Sequence, residues 1–407
     1  MKEKNTFMKN MVYIQSGGPT SVINSSLYGA YKEAIRHPEE IGHIYGSING
    51  IEGLIEDKLF DLNEENPHDI ELLIQTPGAA LGTTRRKLPK DINDPVYMQI
   101  VKNLQKHKIK YVFVNGGNDS MDTCNKISIL CDELNLDVRV IGVPKTIDND
   151  LACTDHTLGY ASAAKAVINQ IYAISKDALC YKQGKIHIVE VMGRNAGWLT
   201  AAADLVPDDG RPDLIYLPEN PFNVDEFIQD IKEIHEKKGY GIVVISEGIK
   251  FERDMTNVQV DGFGHAQLAG ACTELAHIVE SKLGIKTRVV ELSLLQRANP
   301  FLLSRNDRDE AIEVGQLAVT SALAGETGKM IVMKRVSNEP YVARFELVSL
   351  SEVANAEQKV PEYMMQDKHR MSDKFREYLR PLIQGNIHLI WKDGIVELTN
   401  FKKKIVK

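Results

Sequence analysis

Short runs of apolar residues alternate with longer amphipathic segments along most of this chain. Runs of four to eight residues that are almost entirely apolar are typical of strands buried on both faces of a sheet. Such runs occupy residues 11–14, 111–114, 138–143, 186–191, 214–217, 242–245 and 288–295. Because helical segments separate them, the pattern predicts an α/β fold in which helices cover both faces of parallel sheets.

Two of the intervening segments carry clear helix signals. Asp94 followed by Pro95 is typical of an N-cap and a first helical residue. Asn223 followed by Glu226 has the spacing of a capping box, and Gly239 marks the end of the same segment. An amphipathic helix is therefore predicted after each cap.

The pattern changes at about residue 331. Apolar and polar residues alternate in IVMKRV and YVARFELV, as they do in strands with one exposed face. A helical pattern then covers residues 362–383, EYMMQDKHRMSDKFREYLRPLI. We expect residues 331–407 to form a strand and helical tail that packs on the core.

Length, charge and cysteine content limit the class of protein. The 407 residues, 43% of them hydrophobic, are typical of two packed domains. A net charge of −7 argues against nucleic-acid binding but permits a locally basic pocket. The five cysteines include no C-x-x-C pair, which favours free thiols in a reducing compartment. Neither a signal peptide nor a membrane span is apparent, and we expect a cytoplasmic protein.

Polar, glycine-bearing loops follow five of the predicted strands. In open α/β sheets, ligands bind beyond the carboxyl ends of the strands, so five such loops indicate one composite site. The loops are QSGGPT (15–20), NGGNDS (115–120), PKTIDND (144–150), MGRNAG (192–197) and SEG (246–248).

The loop PKTIDND carries the most chemistry. Asp148 has the character of a general base for a hydroxyl group, and Asp150 that of a metal ligand or of a group that orients the base. Thr146 could donate a hydrogen bond to a phosphate, and Lys145 could neutralise charge on a transferred phosphoryl group. The alternative is an Asx-turn with surface charges, which needs far less polar chemistry.

The other loops supply anion-binding groups. The turn GGNDS suits a phosphate at a helix start, unless Asp119 or Ser120 only caps a helix beginning near Met121. Arg85 follows a glycine in LGTTRRKLPK, which is either a phosphate site or a solvated basic turn. The glycine loop SGGPTSVIN after the first strand has the spacing of neither a dinucleotide site nor a P-loop.

Further candidates come from the second half of the chain. Arg194 lies beside glycines, and Glu247 could bind sugar hydroxyls or merely cap a turn. Arg288 and Arg297 stand nine residues apart around a strand. Arginines and acids that face one crevice suit an anionic, hydroxylated substrate such as a sugar phosphate.

Together these motifs resemble the phosphofructokinase family. The match is the ordered series SGGPTSVIN, LGTTR, GGNDS, PKTIDND, VEVMGRNAGW, LPE, SEGI, TRVVELSLLQR and NDR. The resemblance implies two similar three-layer α/β/α domains with mainly parallel sheets and an active site in the cleft between them. It places a donor-binding domain at 1–158 plus about 296–330, a sugar-phosphate domain at 159–295, and the tail at 331–407.

The resemblance also implies the reaction and its residues. It implies Mg²⁺-dependent phosphoryl transfer to the 1-hydroxyl of fructose 6-phosphate, with Asp148 as the base. The catalytic group is then Asp148, Lys145, Asp150 and Arg194. The resemblance implies that Asn118 binds the metal. It implies that the donor is bound by Gly17, Arg85, Asp119, Ser120 and Lys145. Substrate binding falls to Thr146, Asp148, Lys185, Met192, Gly193, Arg194, Glu247, Arg288 and Arg297.

Two positions indicate which donor is used. The ATP-using members of the family have glycine where this chain has Asp119 and Lys145. A carboxylate at 119 would repel the α-phosphate of ATP, and Lys145 could stabilise the shorter diphosphate. The resemblance is therefore to the diphosphate-dependent members, whose reaction runs in both directions.

Four departures from the family pattern keep alternatives open. Asn118 replaces an aspartate that holds magnesium, Lys185 replaces an arginine, and Leu294 replaces a histidine or tyrosine near the 6-phosphate. Tyr28 replaces an arginine of the effector site, so little allosteric control is expected. The alternatives are an ATP-dependent enzyme, sedoheptulose 7-phosphate as acceptor, or a non-catalytic regulatory subunit. Because Arg288 and Lys185 would reach in from a neighbouring subunit, the resemblance implies a homodimer or homotetramer.

Overall fold

The computed structural model describes residues 9–181, 184–252, 270–354 and 356–406. The N-terminal segment in which we found no signal peptide lies almost wholly outside the described residues. No helix in the described ranges combines the length and apolar character that crossing a bilayer requires.

The described strands and helices follow one another along the chain in the order expected for an α/β protein. The strands are β1 (Asn10–Gln15), β2 (Ile44–Ser47), β3 (Leu59–Asp61), β4 (Ile109–Gly116), β5 (Arg139–Pro144), β6 (Ile186–Val191), β7 (Leu214–Tyr216), β8 (Gly241–Ser246), β9 (Thr287–Glu291), β10 (Lys329–Asn338), β11 (Tyr341–Ser349), β12 (Trp391–Lys392) and β13 (Ile395–Val396). The helices are α1 (Ile23–Ala34), α2 (Ile51–Ile55), α3 (Pro67–Glu71), α4 (Pro95–Lys106), α5 (Asn118–Glu133), α6 (Tyr160–Ala178), α7 (Trp198–Ala201), α8 (Val224–Lys238), α9 (Ala271–Leu283), α10 (Arg305–Leu323), α11 (Leu350–Val353) and α12 (Asp373–Leu379).

Two large sheets organise the core, and β12 and β13 form a separate two-stranded antiparallel sheet. The first has the strand order β11-β10-β5-β4-β1-β2-β3, with parallel pairs at its centre and antiparallel pairs at both edges. The second is parallel throughout, with the order β7-β8-β6-β9. The predicted α/β class with mainly parallel sheets is confirmed, and within the described residues the two sheets are unequal in size.

The two predicted helix starts are confirmed. The Asp94 side chain accepts a hydrogen bond from the backbone N–H of Val96 at 2.9 Å, directly before α4. The Asn223 side chain accepts from the N–H groups of Asp225 and Glu226 before α8. Such caps satisfy donors that a helix leaves free at its first turn.

A close helix crossing attaches residues 305–323 to the N-terminal part of the chain. A methyl group at Gly29 of α1 would lie 2.0 Å from the carbonyl oxygen of Ile312 in α10. A methyl group at Gly315 would lie 2.1 Å from the carbonyl oxygen of Ser26. Only glycine permits backbone contact this close, and the crossing continues a core that includes Leu27, Phe113 and Val314.

The C-terminal tail differs from the prediction. The alternating segments form β10 and β11 as expected, and β10 pairs with β5 in the first sheet. The predicted helix over 362–383 is wrong, since the structure has only a 3-10 turn at Glu362–Met364 and the short helix α12. The Asp367 side chain accepts from the N–H of His369 at 2.8 Å, and this local turn competes with helix formation.

Candidate active site

The loop after β5 holds a buried lysine. Lys145 is 2% exposed, and its Nζ donates to the carbonyl oxygen of Gly18 at 2.5 Å. Burial lowers the pKa of Lys145 to about 7 against the opposing effect of Asp148, and Arg297 and Arg85 lower it further. The structure thus places this cation between two loops, where its positive charge is poorly solvated and available to an anion.

Two carboxylates follow Lys145 in the same loop. The Thr146 hydroxyl donates to Asp148 Oδ2 at 3.3 Å, and it accepts from the Asp148 N–H at 3.1 Å. Burial raises the pKa of Asp148, although Lys145 and Thr146 favour its charged form. Burial and the neighbouring Asp148 raise the pKa of Asp150 to about 7. A carboxylate with a raised pKa that is held by a hydroxyl has the properties of a general base.

Asn118 begins α5 opposite Asp150. Its Nδ2 lies 3.4 Å from Asp150 Oδ2, while its buried Oδ1 has no hydrogen-bond partner within the described residues. Buried oxygens without partners are rare and call for a ligand or water. Amide and carboxylate oxygens are the donors that Mg²⁺ and Ca²⁺ prefer, so Asn118 and Asp150 fit a hard divalent cation.

Gly17, Arg85 and Asp119 were predicted to bind the donor, and they lie on neighbouring turns. Gly17 (φ 77°) donates its N–H to the carbonyl of Thr84 at 3.1 Å, which ties the first glycine loop to the segment that carries Arg85. Lys87 Nζ lies 2.9 Å from Asp119 Oδ1. The arrangement brings Arg85, Lys145 and Asp119 to the carboxyl ends of three strands of the first sheet.

The start of α5 differs from the simpler interpretation of GGNDS. The helix begins at Asn118, three residues earlier than predicted, and its N-cap Gly117 makes no side-chain cap. Asp119 therefore lies in the first turn and is not a cap. Ser120 is buried, and its N–H donates to the carbonyl of Gly117 at 3.0 Å.

The loops of the second sheet contribute the other side of the site. The N–H of Gly193 donates to Glu247 Oε1 at 3.2 Å, and the N–H of Met192 donates to the side chain of Gln296 at 3.1 Å. In the described part of the chain, the buried Nη1 of Arg194 has no hydrogen-bond partner. A buried guanidinium group with an unpaired nitrogen suits an anionic or hydroxylated ligand.

Arg297 joins the two halves. A methyl group placed on Gly18 would lie 3.1 Å from Arg297 Nη1 and 3.6 Å from Arg85 Nη2. Burial and Arg85 lower the pKa of Arg297, while Asp148 and Glu247 oppose this effect. Side chains from both sheets are therefore close enough to interact at one place.

Arg288 and Lys185 lie elsewhere. Arg288 is exposed on the edge strand β9 and is paired in register with His187 of β6. Burial lowers the pKa of His187, and the charge of Arg288 lowers it further. Lys185 directly precedes β6 and Arg288 is the second residue of β9, so both lie at the amino ends of these parallel strands, away from the carboxyl-end loops that carry Met192 and Glu247. A role for them in the site would need a second subunit, and it stays a prediction.

Sequence reasoning missed several residues that shape the site. The carbonyl of Gly18 accepts a hydrogen bond from Lys145, and Lys87 forms an ion pair with Asp119. The side chain of Gln296 accepts a hydrogen bond from the backbone N–H of Met192. Asn149, in the left-handed region with φ 57°, lies between the two carboxylates. The only local signal was the position of Gly18 and Asn149 inside the glycine-rich and acidic motifs, because the partners are remote in sequence.

We expect Glu247→Gln to stabilise the protein at alkaline pH. Burial raises the pKa of Glu247 from 4.5 to about 7, so the folded state binds this proton more tightly than the unfolded state. Stability from this group is fully present below about pH 4.5 and is lost as pH rises through about 7. Glutamine carries no such charge, so the variant avoids this loss of stability. The melting temperature of Glu247→Gln should exceed that of wild type by about 3 °C at pH 8 and by much less at pH 5. Glu236→Gln, on the exposed face of α8, is the control. An equal gain at both pH values would contradict the prediction.

Comparisons with known proteins agree with this geometry. The phosphofructokinase family profile, "Phosphofructokinase", matches residues 10–322. A protein of Halomonas elongata named pyrophosphate–fructose 6-phosphate 1-phosphotransferase is 37% identical over 98% of this chain and 97% of its own. A Xanthomonas campestris protein of the same name is 38% identical over 98% and 97%. The crystal structure of a pyrophosphate-dependent phosphofructokinase from Marinobacter aquaeolei superimposes with a TM-score of 0.89 at 36% identity, covering 98% of both chains. The chain belongs to the phosphofructokinase family.

Proposed function

We propose that this protein transfers a phosphoryl group reversibly from diphosphate to the 1-hydroxyl of fructose 6-phosphate. The products are fructose 1,6-bisphosphate and phosphate. The observation that carries the proposal is the buried Lys145, which donates to the Gly18 carbonyl and interacts electrostatically with Asp148, with Asp119 at the start of the adjacent helix. The names of full-length relatives support the same donor and acceptor.

Asp148 is the residue we assign to proton transfer. Its carboxylate accepts the proton of the sugar 1-hydroxyl as the new O–P bond forms, and the bridging O–P bond of diphosphate breaks. The leaving phosphate takes the electron pair of that bond. Lys145 and Arg85 neutralise the negative charge that spreads over the phosphoryl oxygens. Thr146 holds the base through the hydrogen bond between the hydroxyl and Asp148 Oδ2.

We assign the metal to Asn118 and Asp150. The partnerless Oδ1 of Asn118, on the side chain whose Nδ2 lies 3.4 Å from Asp150 Oδ2, supports a bound Mg²⁺. When bound, Mg²⁺ would neutralise charge on the diphosphate oxygens. Ser120, Gly17 and Arg85 remain our assignments for donor binding.

The sugar phosphate is assigned to the loops of the second sheet. Arg194 and Glu247 are placed to bind hydroxyls or phosphoryl oxygens beside the backbone of Met192 and Gly193. Arg297 would bind the 6-phosphate, together with Arg288 and Lys185 of a neighbouring copy. This assignment requires at least a dimer, and we propose a homodimer or homotetramer in the cytoplasm.

These assignments give each of the two proposed domains its own ligand. We propose that residues 1–158 and about 296–330 bind the donor, and that residues 159–295 bind the sugar phosphate in a cleft between the two domains. The close crossing of α1 and α10 supports the return of the chain to the first domain. The chain from Lys329 onward packs on both, since β10 pairs with β5 on one side and Phe375 and Leu379 of α12 join the second core on the other.

The test is a donor comparison. We expect the purified protein with Mg²⁺ and fructose 6-phosphate to form fructose 1,6-bisphosphate with diphosphate and not with ATP, and chelation of Mg²⁺ should abolish the reaction. Product with ATP alone would contradict the donor assignment. Absence of product with either donor would favour another acceptor or a regulatory subunit. Sedoheptulose 7-phosphate is the acceptor to try next, because Leu294 is 56% exposed and brings no hydrogen-bond donor.

A further inference from the structure

Asn149 lies between Asp148 and Asp150 in the loop after β5. Its backbone is in the left-handed region with φ 57°, which non-glycine residues rarely adopt. The Asn149 side chain is 1% exposed, and its Oδ1 accepts from the N–H of Thr157 at 2.9 Å. Its Nδ2 donates to the hydroxyl of Tyr378 at 2.9 Å. Both ends of the side chain are therefore held by groups outside the loop.

Tyr378 reaches this loop from helix α12 of the tail. Its hydroxyl donates to the carbonyl oxygen of Asp155 at 2.9 Å, so one hydroxyl connects both ends of the segment 149–155. The ring packs 5.4 Å from that of Trp198, and the guanidinium of Arg335 lies 4.6 Å from the ring centroid. The tyrosine has little freedom to move without disturbing these contacts.

A buried charge network fixes the other side of Tyr378. Arg335 of β10 donates to both carboxylate oxygens of Asp155 at 2.8–3.2 Å and to the carbonyl of Tyr378 at 2.7 Å. His156 contacts Asp155 at 2.9 Å and Glu310 at 2.8 Å. Burial would lower the pKa of His156, but Glu310 and Asp155 together raise it to about 10. The imidazolium therefore binds two carboxylates at neutral pH, as buried charges require.

The tail contacts the same loop at a second point. The N–H of Gln358 donates to the carbonyl oxygen of Asp150 at 2.7 Å, and Leu151 forms an antiparallel bridge with Glu357. The Asn195 side chain donates to Glu357 at 2.9 Å. This part of the tail lies beyond residue 322, where the match to the family profile ends.

We infer that Tyr378 is a positioning residue, which acts through Asn149 to orient Asp148 and Asp150 for phosphoryl transfer. The inference rests on the proposed function for its catalytic readout. Tyr378 of α12 contacts the amide side chain between the two carboxylates, while Arg335 of β10 and Glu310 of α10 hold Tyr378 and residues 155–156 in place. The tail is thereby part of the machinery that aligns the base, in addition to its packing on the core. Since misplacing a reacting group by about 1 Å costs about 10²-fold in rate, loss of one supporting hydrogen bond is expected to cost about tenfold.

Tyr378→Phe tests the inference because it removes the hydroxyl and keeps the ring. We expect kcat to fall about tenfold, with the KM values for both substrates within about twofold of wild type. Tyr216→Phe is the matched control: it removes another buried hydroxyl, bonded to Asp230 at 2.8 Å, outside this network. Unchanged kcat in Tyr378→Phe, or an equal fall in Tyr216→Phe, would overturn the inference.

A double-mutant cycle tests whether Tyr378 acts on the carboxylates through Asn149. Asn149→Gly keeps the left-handed backbone accessible but deletes both side-chain hydrogen bonds. If Tyr378 acts through Asn149, the double variant should have the kcat of Asn149→Gly alone. Multiplication of the two losses would assign Tyr378 a separate structural role and overturn the inference.

Amide hydrogen exchange of residues 144–158 gives a readout that does not depend on the reaction. Exchange in this segment should be faster in Tyr378→Phe than in wild type and unchanged in Tyr216→Phe. If wild type lacks activity with diphosphate and with ATP, the proposed function fails. Amide exchange would still show whether the Tyr378 hydroxyl holds this segment in place. Unaltered exchange in Tyr378→Phe would overturn the positioning role.

Discussion

Asp148→Asn should lower kcat with diphosphate by about 10²–10⁴-fold, the range typical of losing a general base. The amide has nearly the same shape as the carboxylate and can still accept a hydrogen bond from the Thr146 hydroxyl, which lies 3.3 Å from Asp148 Oδ2. It cannot take the proton of the sugar hydroxyl at neutral pH. The KM for fructose 6-phosphate should therefore stay near that of wild type. Steady-state kinetics at saturating concentrations of both substrates measure the effect.

The pH profile distinguishes loss of the base from a general disturbance. Asp148 acts in its deprotonated form, and burial raises its pKa, so kcat/KM of wild type should rise with pH on the acidic side. That rise should disappear in Asp148→Asn. Asp137→Asn is the control, since this side chain is 65% exposed and pairs with Lys110 and Arg139 away from the site. Wild-type turnover in Asp148→Asn would remove Asp148 from the mechanism.

The double variant Asp119→Gly, Lys145→Gly should lose diphosphate activity and gain activity with ATP. Removal of one preorganised group that stabilises transition-state charge costs about 10²–10³-fold, which we expect for kcat/KM with diphosphate when Lys145 is lost. Removal of the Asp119 carboxylate relieves repulsion of the α-phosphate of ATP, which amounts to several kcal/mol as an order of magnitude in a poorly solvated site. Measurement of kcat/KM with both donors for wild type, the two single variants and the double variant completes the comparison.

Two side effects of these substitutions need controls. Glycine in the first turn of α5 weakens the helix by about 1 kcal/mol, and Asp122→Gly introduces the same backbone cost one turn later. Asp122 pairs with Lys126 within α5, not with a residue of the site. The melting temperature of each variant shows whether the fold persists. A folded double variant that still uses only diphosphate would refute the donor-selecting role of Asp119 and Lys145.

The stability prediction for Glu247 and the catalytic prediction for Asp148 share one physical cause. Both carboxyl groups have pKa values raised first by burial, and Asp148 also raises the pKa of Asp150 and of Glu247. Burial of carboxylates costs stability in the folded protein without ligand. Proteins commonly retain such destabilising groups where function requires them.

The sequence alone predicted the local features of this protein. Six of the seven predicted buried strands, the N-caps Asp94 and Asn223, and the polar loops after strands depend on residues a few positions apart, so a linear pattern records them. The prediction for 288–295 was wrong: this run forms a half-exposed edge strand that ends at Glu291, followed by a 3-10 turn at Ser293–Gln296. The order of the motifs was enough to establish the family resemblance. The same motifs identified Lys145, Asp148 and Asp150 as candidate catalytic residues, and in the structure they lie in one loop.

Only the tertiary structure decided how these features meet. The bond from Lys145 to Gly18 spans 127 positions, and the one from Asn149 to Tyr378 spans 229. No periodicity records such a distance, because many remote groups could satisfy the same donor or acceptor. The helical pattern of 362–383 failed for a related reason. Its apolar residues, such as Met364 and Phe375, bury in one core from two short segments that a turn at Asp367 separates. Packing against remote elements thus overrode the local helical pattern, and it also determined which side chains reach the site.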